Sequence, residues 1–143
     1  PRMYAILIVS HADLAPALAR AAQTIAGPQA GVAALTLGED ESPAALAERL
    51  RDAVAALGSE VAGALFLADL IGGAPYQAAL MAARALSLPR GCAVVGGANL
   101  GMVVEALLER EAATSADELA ARVVAHGREH IGAPRSLGSL GVA

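Results

Sequence analysis

The sequence predicts an α/β fold: a three-layer α/β/α sandwich around a doubly wound, mainly parallel sheet of four or five strands. Three observations carry this. Short uncharged runs rich in Val, Ile, Leu and Ala recur along the chain, as strands buried on both faces require. Each run is followed by a segment with apolar residues at helical spacing. Strand and helix alternate throughout, with no internal repeat or low-complexity linker, and such alternation builds a parallel sheet covered by helices on both sides.

Tyr4-Ala5-Ile6-Leu7-Ile8-Val9 forms the first strand, and Ser10-His11-Ala12-Asp13 is the loop leaving its C-terminal end. A helix over 14–26 follows and is broken by Gly27-Pro28. Residues 32–37 give the second strand, closed by Gly38. Ser42-Pro43 places an N-cap before a proline at the first helical position. That helix runs to 56 or 57, with Leu46, Leu50, Ala53, Val54 and Leu57 on one side and Gly58 as its stop. The third strand, 62–68, enters Asp69-Leu70-Ile71-Gly72-Gly73-Ala74-Pro75, and Pro75 sits in the first turn of a helix over 76–86. A fourth strand, 92–95, leads through Gly96-Gly97-Ala98-Asn99 to a helix over 102–110. Ser115 and Glu118 have capping-box spacing for a last helix reaching His126. Cys92, Met81 and Met102 read as core fillers. Residues 1–131 form one domain, and 132–143, with Pro134 and several Gly and Ser, read as a tail, a linker remnant or an edge segment.

Composition narrows the function. A chain of 143 residues that is 56% hydrophobic suits one domain with a proper core. Aromatics at 2%, a net charge of -4 and scattered arginines argue against nucleic acid, which needs stacking surfaces or a basic patch. The single Cys92 cannot make an intramolecular disulfide, which fits a reducing compartment. No apolar run reaches the roughly 18 residues of a membrane span. No basic segment followed by an apolar stretch and a cleavage site opens the chain, so a cytoplasmic location is expected.

His11, Asp69 and the Gly96–Asn99 turn each follow a different strand, so a parallel sheet gathers them at its C-terminal edge, where open α/β sheets keep their sites. An Asp on one imidazole nitrogen would fix the tautomer and leave the other nitrogen free to attack. Ser10, Gly72, Gly73 and Ala74, with the helix starts beside them, are the candidate phosphate-binding group, offering backbone N–H donors to phosphoryl oxygens. One helix terminus contributes about 0.3–1 kcal/mol, so several donors must act together. The plain alternative for each residue alone is a solvated His ending a strand and an Asp capping a turn. The chemistry calls for no metal and no cofactor. His126 and His130 stand four apart, but with no third ligand evident they read as a solvated pair that suits a helix C-terminus. The Gly96 to Gly101 stretch lacks G-x-G-x-x-G spacing, and no P-loop is present.

These residues resemble the enzyme IIA proteins of the mannose class of the bacterial phosphotransferase system, which includes mannose, fructose, sorbose and N-acetylgalactosamine-like members. The carriers are Ile6-Leu7-Ile8-Val9-Ser10-His11, the stretch from Leu65 to Tyr76, Gly96-Gly97-Ala98-Asn99-Leu100, and Glu105-Ala106-Leu107-Leu108-Glu109-Arg110. The middle motif is the specific one, and the resemblance covers nearly the whole chain. It implies that His11 accepts a phosphoryl group from the phosphocarrier HPr and passes it to a IIB subunit for sugar uptake, with Asp69 hydrogen-bonded to the ring. It further implies a homodimer, to which 132–143 would contribute, and membrane contact only through IIC and IID partners. The chain departs from the family at Ala74, where Ser or Thr is usual, and at Ala12, where Gly is common. Two other readings stay open: a phosphocarrier subunit of phosphoenolpyruvate-dependent dihydroxyacetone kinase, and a regulatory phosphohistidine interaction module. Gly72-Gly73-Ala74-Pro75 favours the sugar branch.

Overall fold

The computed structural model describes residues 3–139. Among them lie four parallel strands, β1 (Met3–Ser10), β2 (Val32–Thr36), β3 (Val61–Ala68) and β4 (Cys92–Val95), in the spatial order β2-β1-β3-β4. The helices are α1 (Leu14–Ala26), α2 (Pro43–Ala56), α3 (Ala74–Ala85), α4 (Leu100–Glu109) and α5 (Ala116–Glu129). Side chains alternate across the sheet because the strand period is two. Tyr4, Ile6, Ile8, Leu65 and Leu67 face α1, α4 and α5, whereas Ala5, Leu7, Val9, Ala64 and Phe66 face α2 and α3. Both faces are buried, which is why the strands read as continuous apolar runs.

The strand order matters more to the site than the layers do. From β1 the chain winds to β2 on one side, and from β3 it winds to β4 on the other. The switch point therefore lies between β1 and β3, and its C-terminal edge is where open α/β sheets hold their sites.

The boundaries of α1, α2 and β4 match expectation; those of the other elements moved by one to three residues. The fragment β2 ends at Thr36, one residue early, although the Leu37 amide still bonds the Ser10 carbonyl. The helices α3 and α4 each begin two residues early, at Ala74 and Leu100. In α4 the cause is Asn99, whose side chain accepts from the Met102 amide and fixes the start. In α5 the helix continues past His126 and through Gly127, because Met102 packs where a Cβ on Gly127 would stand, at 2.4 Å from its Cγ. Ser115 caps the Glu118 amide as predicted, but the Glu118 carboxylate reaches back one residue further, to the Thr114 amide and hydroxyl.

Met102 is a core residue, whereas Met81 is exposed on the outer side of α3, and Cys92 is only half-buried on the edge strand β4. Residues 131–138 are exposed, with one 3-10 turn at Leu137–Ser139; the rest of the expected tail, 140–143, lies outside the described residues.

Candidate active site

His11 and Asp69 meet at the switch point, after β1 and β3. One carboxylate oxygen of Asp69, Oδ2, accepts two hydrogen bonds from the same residue, the His11 backbone amide at 2.9 Å and ring Nδ1 at 2.8 Å. The other oxygen accepts from the Leu70 amide at 2.9 Å. An ionised carboxylate only accepts, so Nδ1 carries the proton and Nε2 holds the free lone pair. The His11 side chain is 47% exposed and that of Asp69 only 8%, which leaves the reactive edge open over a sheltered anchor.

Burial works to raise the pKa of Asp69, but the His11 amide, the His11 ring and the Leu70 amide outweigh it and hold the carboxyl below its ordinary value. A depressed folded-state pKa stabilises the fold above the ordinary carboxylate range, and that contribution is lost as pH falls through the lowered value. The anchor should therefore hold throughout the neutral range and release His11 only below about pH 4. Amide exchange at His11 followed by NMR down an acid titration checks this; release near neutrality would contradict it.

Gly73 is the N-cap of α3 and lies against the ring, since a Cβ there would approach His11 Cε1 to 3.2 Å. Its own amide bonds the Leu70 carbonyl, and the Gln77 amide bonds the Gly73 carbonyl. Pro75 has no N–H, so Ala74 and Tyr76 carry the first-turn amides that lack an acceptor within the helix. No side chain caps this terminus. Gly72, at φ +82°, supplies the left-handed turn that brings the terminus round to the ring. Gly73 thus brings the start of α3 against the ring at Cε1, the carbon between the two ring nitrogens.

Ser10 has a different place from the one expected. It is fully buried, and its hydroxyl accepts from the Ala15 amide at 2.7 Å while facing the Ala12 carbonyl. It braces the His11 loop from beneath and is turned away from the ring's open edge. That bond also occupies one first-turn amide of α1, and Pro16 removes another, so α1 is a weaker anion platform than α3. The Gly96–Asn99 turn also acts at one remove. Gly96 seats Ile71, whose Cγ1 would lie 2.4 Å from any added Cβ, and the Ala98 amide bonds the Ala68 carbonyl.

Ala12 adopts φ +45°, in the left-handed region, which explains the preference for glycine at this position in the resembling family. The substitution Ala12→Gly should relieve that strain. After the greater chain entropy of glycine is subtracted, a gain of about 0.5–1 kcal/mol is expected, or roughly 2–3 °C in Tm by calorimetry.

Comparison with known proteins identifies the family. A family model described as EIIA-man, PTS system fructose IIA component, matches residues 5–124. The PTS system mannose-specific EIIAB component of Escherichia coli K12 is 34% identical over 127 residues, covering 89% of this chain. The chain spans 38% of the length of that relative. Among solved structures, EIIA from Streptococcus agalactiae superposes with a TM-score of 0.80 at 26% identity, covering 92% of this chain and 97% of that one. The mannose/sorbose specific IIA subunit from Enterococcus faecalis gives 0.78 at 28% identity, covering 94% and 96%. By family model, sequence and fold together, this chain belongs to the mannose-class enzyme IIA family of the bacterial phosphotransferase system.

Proposed function

We propose that His11 is the residue that carries the phosphoryl group, taking it from phospho-HPr and giving it to a IIB subunit. The observation that carries this reading is the pair of hydrogen bonds that Asp69 Oδ2 accepts from the His11 amide and Nδ1, which leaves Nε2 as the exposed nucleophile. In the forward step the Nε2 lone pair attacks phosphorus, the donor's P–N bond breaks in line, and its electron pair returns to the donor imidazole. The ring, substituted at Nε2 and still protonated at Nδ1, becomes cationic, and the Asp69 carboxylate beside it offsets that charge. Glycine at 73 lets the ring approach the start of α3, where the Ala74 and Tyr76 amides receive phosphoryl oxygens. The second transfer runs the same step in reverse onto the acceptor.

Leu70 and Ile71 stand 60% and 75% exposed on the loop beside His11. Apolar side chains bordering an open nucleophile suit a protein-borne donor better than a small free substrate. No described helix is long and apolar enough to cross a membrane.

Incubation with phosphoenolpyruvate, enzyme I and HPr, read by intact-mass spectrometry, tests the proposal. One acid-labile phosphoryl group per chain is expected. Its absence while HPr is phosphorylated would overturn the carrier role. Asp69→Asn tests the anchor separately. An amide has only one acceptor oxygen for these two sides, so its NH2 faces either the Leu70 N–H or His11, and in the second orientation it no longer accepts from Nδ1. The transfer rate should fall about 100-fold or more with the fold retained, and 15N shifts should report loss of the fixed tautomer. An unchanged rate would remove Asp69 from the mechanism.

A further inference from the structure

The helices α4 and α5 pack antiparallel and place two turns face to face near the sheet's C-terminal edge. From α4 come Gly101 and Glu105, and from the end of α5 come His126 and His130, each pair four residues apart. His130 is exposed and His126 half-buried, and the two rings touch one another. Their Nε2 atoms lie 3.0 Å apart, and the rings meet edge to face. Glu105 stands 3.4 Å from the other nitrogen of His126, Nδ1, with Glu129 at 4.0 Å from the same atom. At ion-pair distance these carboxylates favour a proton on Nδ1, which leaves the Nε2 lone pair toward His130, as carboxylates near metal-binding histidines do.

Gly101 makes the pairing possible. A Cβ at this position would stand 2.3 Å from His130 Cδ2 and 2.8 Å from Cγ, so the ring lies directly on the α4 backbone. Both rings and Gly101 border a cavity of about 490 Å³ that is otherwise lined by Ile25, Asn99, Leu100 and Val104. Two imidazole nitrogens held cis on one tetragonal ion, the geometry Cu²⁺ and Ni²⁺ prefer, at about 2.0–2.1 Å are separated by about 2.9 Å. The observed separation is close to that bite before any adjustment.

We infer that His126 and His130 form a two-imidazole site for a divalent transition-metal ion, with Glu105 orienting His126 and water from the cavity completing the coordination. Among the described residues no third His, Cys, Asp or Glu joins the cluster as a ligand, so the site is an open one. Imidazole donors favour Cu²⁺ and Ni²⁺ over harder cations such as Mg²⁺. The inference is independent of the phosphoryl-carrier reading, since neither His11 nor Asp69 borders the cavity.

Isothermal titration of tag-free protein with Ni²⁺ alone, and then with Cu²⁺ alone, tests it. One equivalent should bind. His126→Ala and His130→Ala should each weaken binding at least tenfold, and Glu105→Ala about 10- to 100-fold. Gly101→Ala, which displaces the His130 ring without removing a ligand, should weaken it as His130→Ala does, and circular dichroism checks that the variant stays folded. His11→Ala should bind as the unmodified chain does. Absence of saturable binding, or binding lost in His11→Ala and kept in His126→Ala, would overturn the assignment.

Discussion

His11→Ala is expected to abolish phosphoryl acceptance, a loss of at least about 1,000-fold, because no other group at the switch point can stand in as the nucleophile. The structure also says why folding should survive. The side chain is 47% exposed, and its removal takes only the ring's bond from Asp69. Asp69 keeps the backbone amides of residue 11 and of Leu70 as partners. Thermal unfolding of the variant should therefore lie within about 0.5 kcal/mol of the unmodified chain. Mass spectrometry of the two proteins after the same incubation separates the outcomes. Acid-labile phosphate retained in the variant would place the carrier nitrogen elsewhere.

Arg110→Met should have the largest effect on stability. Arg110 caps the end of α4 and is buried, with its guanidinium donating to the Tyr4 carbonyl at 3.2 Å, the Ala30 carbonyl at 2.6 Å and Gln29 Oε1 at 3.1 Å. Burial pulls its pKa down, with neighbouring Glu111 acting against the shift. Its direct partners are neutral oxygens, so it ties the entry of β2 and the start of β1 to α4 through backbone acceptors. Methionine keeps much of the stem's packing but strands those acceptors, at about 1–3 kcal/mol for each that water cannot reach. Relief from burying a cation offsets part of this. A net loss of about 2–4 kcal/mol is expected, or roughly 6–12 °C in Tm by calorimetry. A change below about 1 kcal/mol would mean that water replaces the guanidinium at these carbonyls.

The order of strands and helices, and the pairing of His11 with Asp69, were legible because they follow from local pattern. Uncharged runs name buried strands, and the loops after parallel strands share one edge. What the sequence did not show depends on contacts between distant segments. Ser10 looked like a phosphate ligand by its place beside His11, yet its hydroxyl faces inward to the Ala15 amide. Arg110 read as the end of a helix, although its partners are some 80 to 106 positions away in the chain. His126 and His130 were visible as a pair, but nothing local reveals that Gly101 gives His130 its seat. Gly73 was assigned to phosphate binding; its missing side chain also makes room for the His11 ring, a reason that only the tertiary contact reveals.

The single oxygen of Asp69 that grips both the amide and the ring of His11 has a thermodynamic consequence for a group that must be exchanged in two directions. It closes a small cycle through one residue, and so the side-chain torsions of the histidine are already restricted before any partner arrives. Immobilising a free side chain at an interface costs about 0.5–1.5 kcal/mol, and here the fold has met that cost in advance. Neither donor nor acceptor then spends docking energy on ordering the imidazole, and the rotamer entropy is the same on arrival and on departure. A brief, weak encounter is enough to find the nitrogen aligned. That suits a shuttle whose partners must separate as readily as they meet.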